Sequence, residues 1–252
     1  MLPALPPEIL DLIVDNLYDE PTTLQTCCLV SKSWVHRTRK HLFASVTFQA
    51  VSPGAGVDEW KKTFPNPTNS PAHHIRTLSI RRSYLAEAVH WGTISTFCRV
   101  VRLDVHTDTC ADEWIPLAPL HGLFPALRSL RLSFTALPDS EIFDLICSFP
   151  CLEDLALESF GYGRGGRWNA SSTPPRLTGS LELRGIAEGI QSITRRLFDF
   201  PNGLHFTAIK VAWDTEPDVR STMDLVSRCS DTLQFLDIMN YLGEFPSISV
   251  PD

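Results

Sequence analysis

The chain has 252 residues, a hydrophobic content of 43% and a formal net charge of −7, which allows one large domain or a small domain followed by a larger one. The acidic balance argues against nucleic acid as the main partner, because phosphate binding requires a basic face. The sequence contains no run of about 18 apolar residues, so no membrane span is predicted.

The first 48 residues predict three short helices. Pro6 and Pro7 suit the start of the first helix, because the first N–H groups of a helix have no partner inside it. Apolar residues recur at helical spacing as far as Leu17, Pro21 ends this pattern, and Ser31 is placed to cap a third helix. So small a unit buries little core, and it therefore predicts docking on another surface. The alternative is a helical cap on the domain that follows.

Two motifs mark this helical segment. A Leu-Pro-x-Glu-Ile start occupies residues 5–9, and a Leu-Val-Ser-Lys-x-Trp stretch occupies residues 29–34, with spaced aliphatic residues between them. In this combination, residues 4–48 resemble an F-box. The resemblance implies docking on a Skp-type adaptor and, through it, on a cullin in an SCF-type cullin–RING ubiquitin ligase. It assigns the adaptor contact to Leu5, Pro6, Ile9, Leu10, Leu29, Val30 and Trp34, although Trp34 suits the core of the three helices equally well.

Residues 49–74 differ in composition from what precedes them. Four prolines lie here among glycine, serine, asparagine and threonine, which predicts a connector between domains. Trp60 and Phe64 favour burial, so the connector is expected to be only partly extended. The adjacent His73 and His74 are expected at its surface.

A three-point apolar pattern, L-x-x-L-x-L, recurs through the rest of the chain. Two clear copies end at Leu132 and Leu157, and looser copies end at residues 80, 103, 183, 211 and 238. The final positions lie 23 to 29 residues apart, which is the period of leucine-rich repeats. Helical patterns fill several intervals, at residues 86–98, 140–149, 186–198 and 221–229. Strand plus helix at a fixed period predicts a solenoid, and the alternative is an ordinary α/β domain that repeats by chance.

The pattern resembles the divergent repeats of F-box proteins with leucine-rich domains, but it departs from the Asn or Cys expected after each strand. The predicted fold class is therefore α+β, with an N-terminal three-helix F-box followed by an α/β leucine-rich-repeat-like solenoid of about seven irregular repeats. The predicted domains are the F-box at residues 1–48, the proline-rich connector at 49–74 and the repeat domain at 75–252.

The variable residues inside each predicted strand are expected on one exposed face, where charges and an aromatic ring favour protein recognition. Arg102 and Arg131 are suited to pairing with acidic or phosphorylated residues of a protein substrate. The alternative is a solvated face whose charges serve solubility. The candidate cargo contacts are Arg81, Arg102, Arg131, Glu158, Glu182, Lys210, Phe235 and Asp237.

Other motifs carry less weight. Residues 161–166 fit G-x-G-x-x-G, but no helix pattern follows, so a loop is predicted in place of a nucleotide site. The basic run 36–41 is most simply a solvated helix face. Seven cysteines without regular spacing are typical of reduced thiols in a cytoplasmic or nuclear protein. No catalytic, cofactor or metal motif stands out. The F-box resemblance implies a non-catalytic substrate receptor, with a ligase-independent scaffold as the alternative.

Overall fold

A computed structural model of the chain describes residues 6–48, 55–81, 88–106, 117–133, 139–160, 174–185, 189–213 and 216–240. Three predicted features fall outside these residues: Leu5, the glycine-rich segment 161–173 and the end of the chain from residue 241.

The chain begins with three short helices, α1 (Pro7–Asp15), α2 (Pro21–Val30) and α3 (Lys32–Leu42). Helices α1 and α2 each pack against α3, around the buried side chains of Val14, Leu24 and Cys27. The hydroxyl of Ser31 caps α3 by accepting the backbone N–H of Ser33 at 3.3 Å. The three predicted helices are therefore present.

Eight strands follow in a single parallel sheet, and each strand pairs with the next one along the chain. They are β1 (Ser45–Phe48), β2 (Thr77–Arg81), β3 (Arg102–His106), β4 (Ser129–Ser133), β5 (Asp154–Phe160), β6 (Ser180–Gly185), β7 (Ala208–Trp213) and β8 (Phe235–Asn240). Parallel neighbours require a crossover connection, and helices supply several of these. The helices are α4 (Ala55–Thr63), α5 (Ala88–Ile94), α6 (Asp139–Cys147), α7 (Gly189–Phe198) and α8 (Glu216–Arg228), together with short 3₁₀ turns at Pro67–Asn69, Pro71–His74 and Ala118–Leu120.

The core lies on one face of the sheet. Leu78, Leu103, Leu130, Leu155, Leu181 and Ile209 stand in register across β2–β7, and each is almost fully buried. Apolar residues of the connecting helices, such as Ile94, Phe143 and Ile193, belong to the same core. Strand side chains alternate between the two faces of a sheet, so the polar residues between these aliphatic ones occupy the opposite face.

The predicted fold class is wrong. The structure contains a single sheet of eight parallel strands with helices interleaved between them, which is an α/β layout. It is neither α+β nor a separate three-helix F-box followed by a seven-repeat solenoid. The physical reason is β1, which follows α3 almost directly and pairs with β2 from Ser45 to Phe48, so the sheet begins inside the segment assigned to the N-terminal domain. Sequence analysis missed β1 because a four-residue strand carries only two apolar positions.

The segment assigned to a connector is largely folded onto the sheet. Helix α4 brings Trp60 into edge-to-face contact with Phe43, Phe48 and Phe97, whose ring centroids lie 5.4 to 6.2 Å from that of Trp60. These aromatic contacts link the end of α3, the strand β1 and the loop before β3. The backbone adds two bonds, in which the N–H groups of Arg76 and Thr77 donate to the carbonyl of Ala44. The helical segment is thus joined to the sheet by packing and by hydrogen bonds.

The seven apolar patterns coincide with β2–β8, but the second was placed two residues too early. Leu103 and Val105 are the buried pair that aligns with Leu78 and Ile80, and Val100 precedes them in the core. Arg102 therefore lies in register with Thr77, and Asp104 takes the central place in β3. The pattern was misplaced because Val101 and Leu103 have the same spacing as the buried pair Leu103 and Val105.

Candidate functional site

The first candidate surface consists of large aliphatic side chains exposed on helices α1 and α2. Leu29 is 87% exposed, Val30 65% and Leu12 57%, and Ile9 and Ile13 are also exposed. In α1, the positions 9, 12 and 13 form one helical stripe, while Leu10 and Val14 form a neighbouring stripe that is at least partly buried and that Leu17 continues just beyond the helix. Helix α1 is thus apolar on two adjacent stripes, only one of which is covered.

Exposed aliphatic residues of this size are usual when they occur singly, but groups of them mark interaction sites. Of the adaptor contacts that the F-box resemblance assigns, Pro6, Ile9, Leu29 and Val30 are exposed, whereas Leu10 and Trp34 are partly buried. The geometry suits Ile9, Leu29 and Val30 for direct contact with a partner. Leu12 and Tyr18 were not among the candidates, although both are exposed.

An ion-pair cluster fixes the orientation of α1 relative to α3. The guanidinium of Arg37 donates to both carboxylate oxygens of Asp15, and the bond from Nε to Oδ1 measures 2.6 Å. His41 Nε2 lies 2.7 Å from Oδ1 of the same carboxylate. The hydrogen bonds from Arg37 and then from His41 hold the pKa of Asp15 well below its usual range. The exposed stripe of α1 is therefore carried on a helix that is anchored at its C-terminal end.

The second candidate surface, here called the open sheet face, is the face opposite the core. It carries three rows of side chains that run across the strands in register. The central row starts at Thr47 on β1 and ends at Asp237 on β8. All eight predicted cargo contacts lie on this face: Arg131, Glu182, Lys210 and Asp237 in the central row, Arg102 and Phe235 in the row before it, and Arg81 and Glu158 in the row after it.

Charges in the middle of the open sheet face bind one another. Arg131 donates from Nη1 to Glu158 Oε1 at 2.6 Å and from Nη2 to Glu182 Oε2 at 3.1 Å. Ser133 donates to the second oxygen of Glu158 at 2.9 Å, and Arg184 lies 2.7 Å from the second oxygen of Glu182. Arg131, Glu158 and Glu182 keep less than a third of their side-chain surface exposed. The network therefore links β4, β5 and β6 through charge-assisted hydrogen bonds.

This network bears on the predicted role of the two arginines. The guanidinium of Arg131 already holds two carboxylates, so an incoming acidic group would have to displace one of them. Arg102 is more accessible, since its side chain is 46% exposed and its ion pair within the described residues is with Asp104 on its own strand, at 3.3 Å. Of the two, Arg102 is the better placed to bind an acidic partner.

The last two strands give the open sheet face a different chemistry. Phe235 is 51% exposed and Met239 is 38% exposed, and they occupy outer rows on the same strand. The ammonium of Lys210 lies 5.7 Å from the centroid of the Phe235 ring, which is within the range of a cation–π interaction. Apolar and aromatic side chains exposed beside a cation form a contact surface suited to a protein partner.

Within the described ranges, no group of three or more His, Cys, Asp and Glu side chains is arranged to hold a metal ion. Among the helices of the described residues, none combines the length and the apolar character needed to cross a membrane. Both surfaces belong to an α/β protein built on a single parallel sheet.

Comparison of the chain with protein-family models and with curated proteins finds no match in either case. The F-box resemblance of the N-terminal segment consequently rests on the motifs in residues 5–34 themselves.

Proposed function

We propose that this protein is the substrate-recognition subunit of an SCF-type cullin–RING ubiquitin ligase, acting in the cytoplasm or nucleus. The N-terminal helices would dock on a Skp-type adaptor, and the open sheet face would hold a protein substrate. The protein would catalyse no reaction itself, because its contribution is to hold substrate near a bound ubiquitin-conjugating enzyme.

The observation that carries this proposal is the uncovered aliphatic stripe of α1 together with Leu29 and Val30 at the end of α2. Solvent exposure of a leucine side chain forgoes about 1.5 to 3 kcal/mol of burial free energy, which a partner surface would supply. The same residues fall in the two motifs that resemble an F-box. The location of the exposed aliphatic residues and the location of the sequence motifs thus support the same docking surface.

The experiment is capture of a Skp-type adaptor by the full chain in co-expression. A double variant, Ile9→Asp with Leu29→Asp, should reduce capture at least tenfold, because each carboxylate would have to be desolvated in an apolar interface. Met223→Asp is the matched control, since Met223 is 52% exposed on α8, far along the chain from these helices. Thermal unfolding of all three proteins checks that the substitutions leave the fold intact.

Absence of adaptor from the wild-type protein would overturn the proposal, as would equal capture by wild type and double variant. A ligase-independent scaffold would then be the better account of the open sheet face. Substrate binding is tested separately by Arg102→Glu, which should weaken substrate capture while adaptor capture remains at the wild-type level.

A further inference from the structure

A cleft with a volume of about 680 Å³ lies between helix α3 and the two 3₁₀ turns at residues 67–74. Helix α3 contributes one face to it, at positions spaced by three and four residues. The other wall comes from the end of α4 and from the turns. The polar residues of its lining include Lys32, His36, Arg39, Asn69, His73 and His74.

The charge of this cleft is opposite to that of the chain as a whole. Of its fourteen lining residues, two are Lys or Arg and three are His, and none is Asp or Glu. The whole sequence, in contrast, has 29 acidic against 22 Lys and Arg residues. A concave wall of one sign focuses the electrostatic potential and raises the local concentration of ions of the opposite sign.

The pKa of His74 responds to the positive charges around the cleft. Its pKa is lowered to about 4, first by burial and then by the positive charges of His73, His36, Arg99 and Arg39. The ring centroid of His74 lies 3.8 Å from that of His73 and 5.4 Å from that of His36. The imidazoles of His73 and His36 thus both contact that of His74, and the charged groups of the described residues that lower its pKa are cationic.

The polar groups of the cleft suit a tetrahedral oxyanion. The guanidinium of Arg39 presents a planar fork of donors, Lys32 presents an ammonium, and the side-chain amide of Asn69 adds a neutral donor. A phosphate ester offers several acceptor oxygens and nearly two negative charges at neutral pH. The volume also lies within the range of about 300 to 1,000 Å³ that small-ligand sites occupy.

We propose that the cleft between α3 and the 3₁₀ turns binds a phosphate ester, held by Arg39 and Lys32 beside the three histidines of the lining. The site is separate from the exposed aliphatic residues of α1 and α2, so the inference does not depend on the proposed ligase function. Sequence analysis missed it because His36 and the pair His73 and His74 are 37 residues apart and come together only when α3 packs against the turns.

The test is titration calorimetry of the full chain with inorganic triphosphate at constant ionic strength. Arg39→Glu should weaken binding at least tenfold, because it removes a cation from the cleft and adds an anion. Lys40→Glu is the matched control, since Lys40 is the next residue on the same helix, is exposed and makes the same charge change outside the cleft lining. Thermal unfolding confirms that both variants fold, and Lys32→Ala replaces Arg39→Glu if that variant does not.

A second titration distinguishes the sources of the phosphate group. Tighter binding of a short phosphoserine peptide than of triphosphate would identify a phosphorylated protein segment as the ligand, and the reverse order would identify a soluble phosphate ester. The proposal is overturned if the wild-type protein binds neither probe at millimolar concentration. It is equally overturned if Arg39→Glu and Lys40→Glu weaken binding alike, because the attraction would then be nonspecific.

Discussion

The N-terminal helices and the open sheet face both expose large side chains, but the two sets differ in whether their side chains have partners within the molecule. On α1 and α2 the exposed groups are aliphatic, and nothing in the described part of the chain covers Leu29 or Leu12. On the sheet face the exposed groups are mostly charged, and Arg131, Glu158 and Glu182 satisfy one another. The helices therefore gain most from a partner, whereas the carboxylates in the middle of the sheet face already have donors within the molecule, although Nε of Arg131 is buried without a hydrogen-bond partner among the described residues.

The difference indicates two kinds of recognition. A partner that covers the helical surface gains free energy chiefly from removing apolar area from water. A partner that docks on the sheet face must either leave the charge network intact or replace its bonds. Association there is expected to begin at the more accessible positions of the face, at Arg102 on β3 and at Phe235 on β8, since these side chains are the more exposed.

The largest expected effect compares a leucine from each region. Leu130→Ala should lower the free energy of unfolding by about 3 kcal/mol, because Leu130 is fully buried in the sheet core. Leu29→Ala should change it by less than about 0.5 kcal/mol, because Leu29 is almost fully exposed. Urea unfolding followed by circular dichroism measures both. An equal loss from the two variants would place Leu29 inside a core and remove the contrast between the regions.

The next effect concerns the charge network. Arg131→Met should destabilise the protein by about 2 kcal/mol, since it leaves two partly buried carboxylates without their shared donor. Arg128→Met is the control, because Arg128 pairs with Glu153 at 3.0 Å but both side chains are largely solvent-exposed, and such pairs contribute about 0 to 1 kcal/mol. If both variants lose the same amount, the open sheet face is an ordinary solvated surface.

Sequence periodicity was sufficient to locate seven of the strands and the helices between several of them. Buried aliphatic residues at L-x-x-L-x-L spacing are a direct consequence of strands that bury one face, so Leu130 and Leu132 identify β4 without further information. The same reasoning failed at β3, where Val101 mimics the spacing, and at β1, which is too short. The overall class was misassigned because β1 joins the helical segment to the sheet, and pairing between distant segments leaves no local signal.

The candidate sites were predictable to different degrees. Ile9 and Leu29 stood out because an F-box-like motif contains them, and the face of Glu182 and Lys210 follows from strand alternation. The pairing of Arg131 with Glu158 and Glu182 depends on the register of three strands. The histidine cleft depends on how α3 packs against the turns. Both the ion-pair network and the cleft depend on tertiary structure, which residue spacing does not encode.

A smaller effect tests how firmly the helical surface is held. Asp15→Asn should cost no more than about 1 kcal/mol of stability, because the carboxylate is partly exposed and solvent screens its ion pairs. It should nevertheless weaken adaptor capture, since Arg37 and His41 would no longer anchor α1 against α3. Asp19→Asn, in the turn after α1, serves as the control. Wild-type capture by Asp15→Asn would mean that the orientation of α1 is set by packing around Val14 alone.

A further effect is a pH dependence that arises from the cleft. Because the pKa of His74 is about 4 in the folded protein and near 6.5 when unfolded, the unfolded state binds the extra proton first. Stability should therefore fall as the pH is lowered from about 6.5 to about 4, and less so in His74→Gln. Asp15 stays ionised over most of this range, so its contribution is nearly the same in both proteins.

Bound phosphate provides a second test of this pH dependence. An anion in the cleft would offset the positive charges of His36, His73, Arg39 and Arg99, so it would raise the pKa of His74 and reduce the loss of stability at low pH. Urea midpoints at pH 7 and pH 5, with and without triphosphate, measure this protection in wild type and in His74→Gln. A pH dependence that is the same in both proteins would mean that His74 is well solvated. The positive potential would then not extend to His74. The contrast between a sheet face whose carboxylates are paired and a helical region that lacks a partner would rest on the exposed aliphatic residues of α1 and α2 alone.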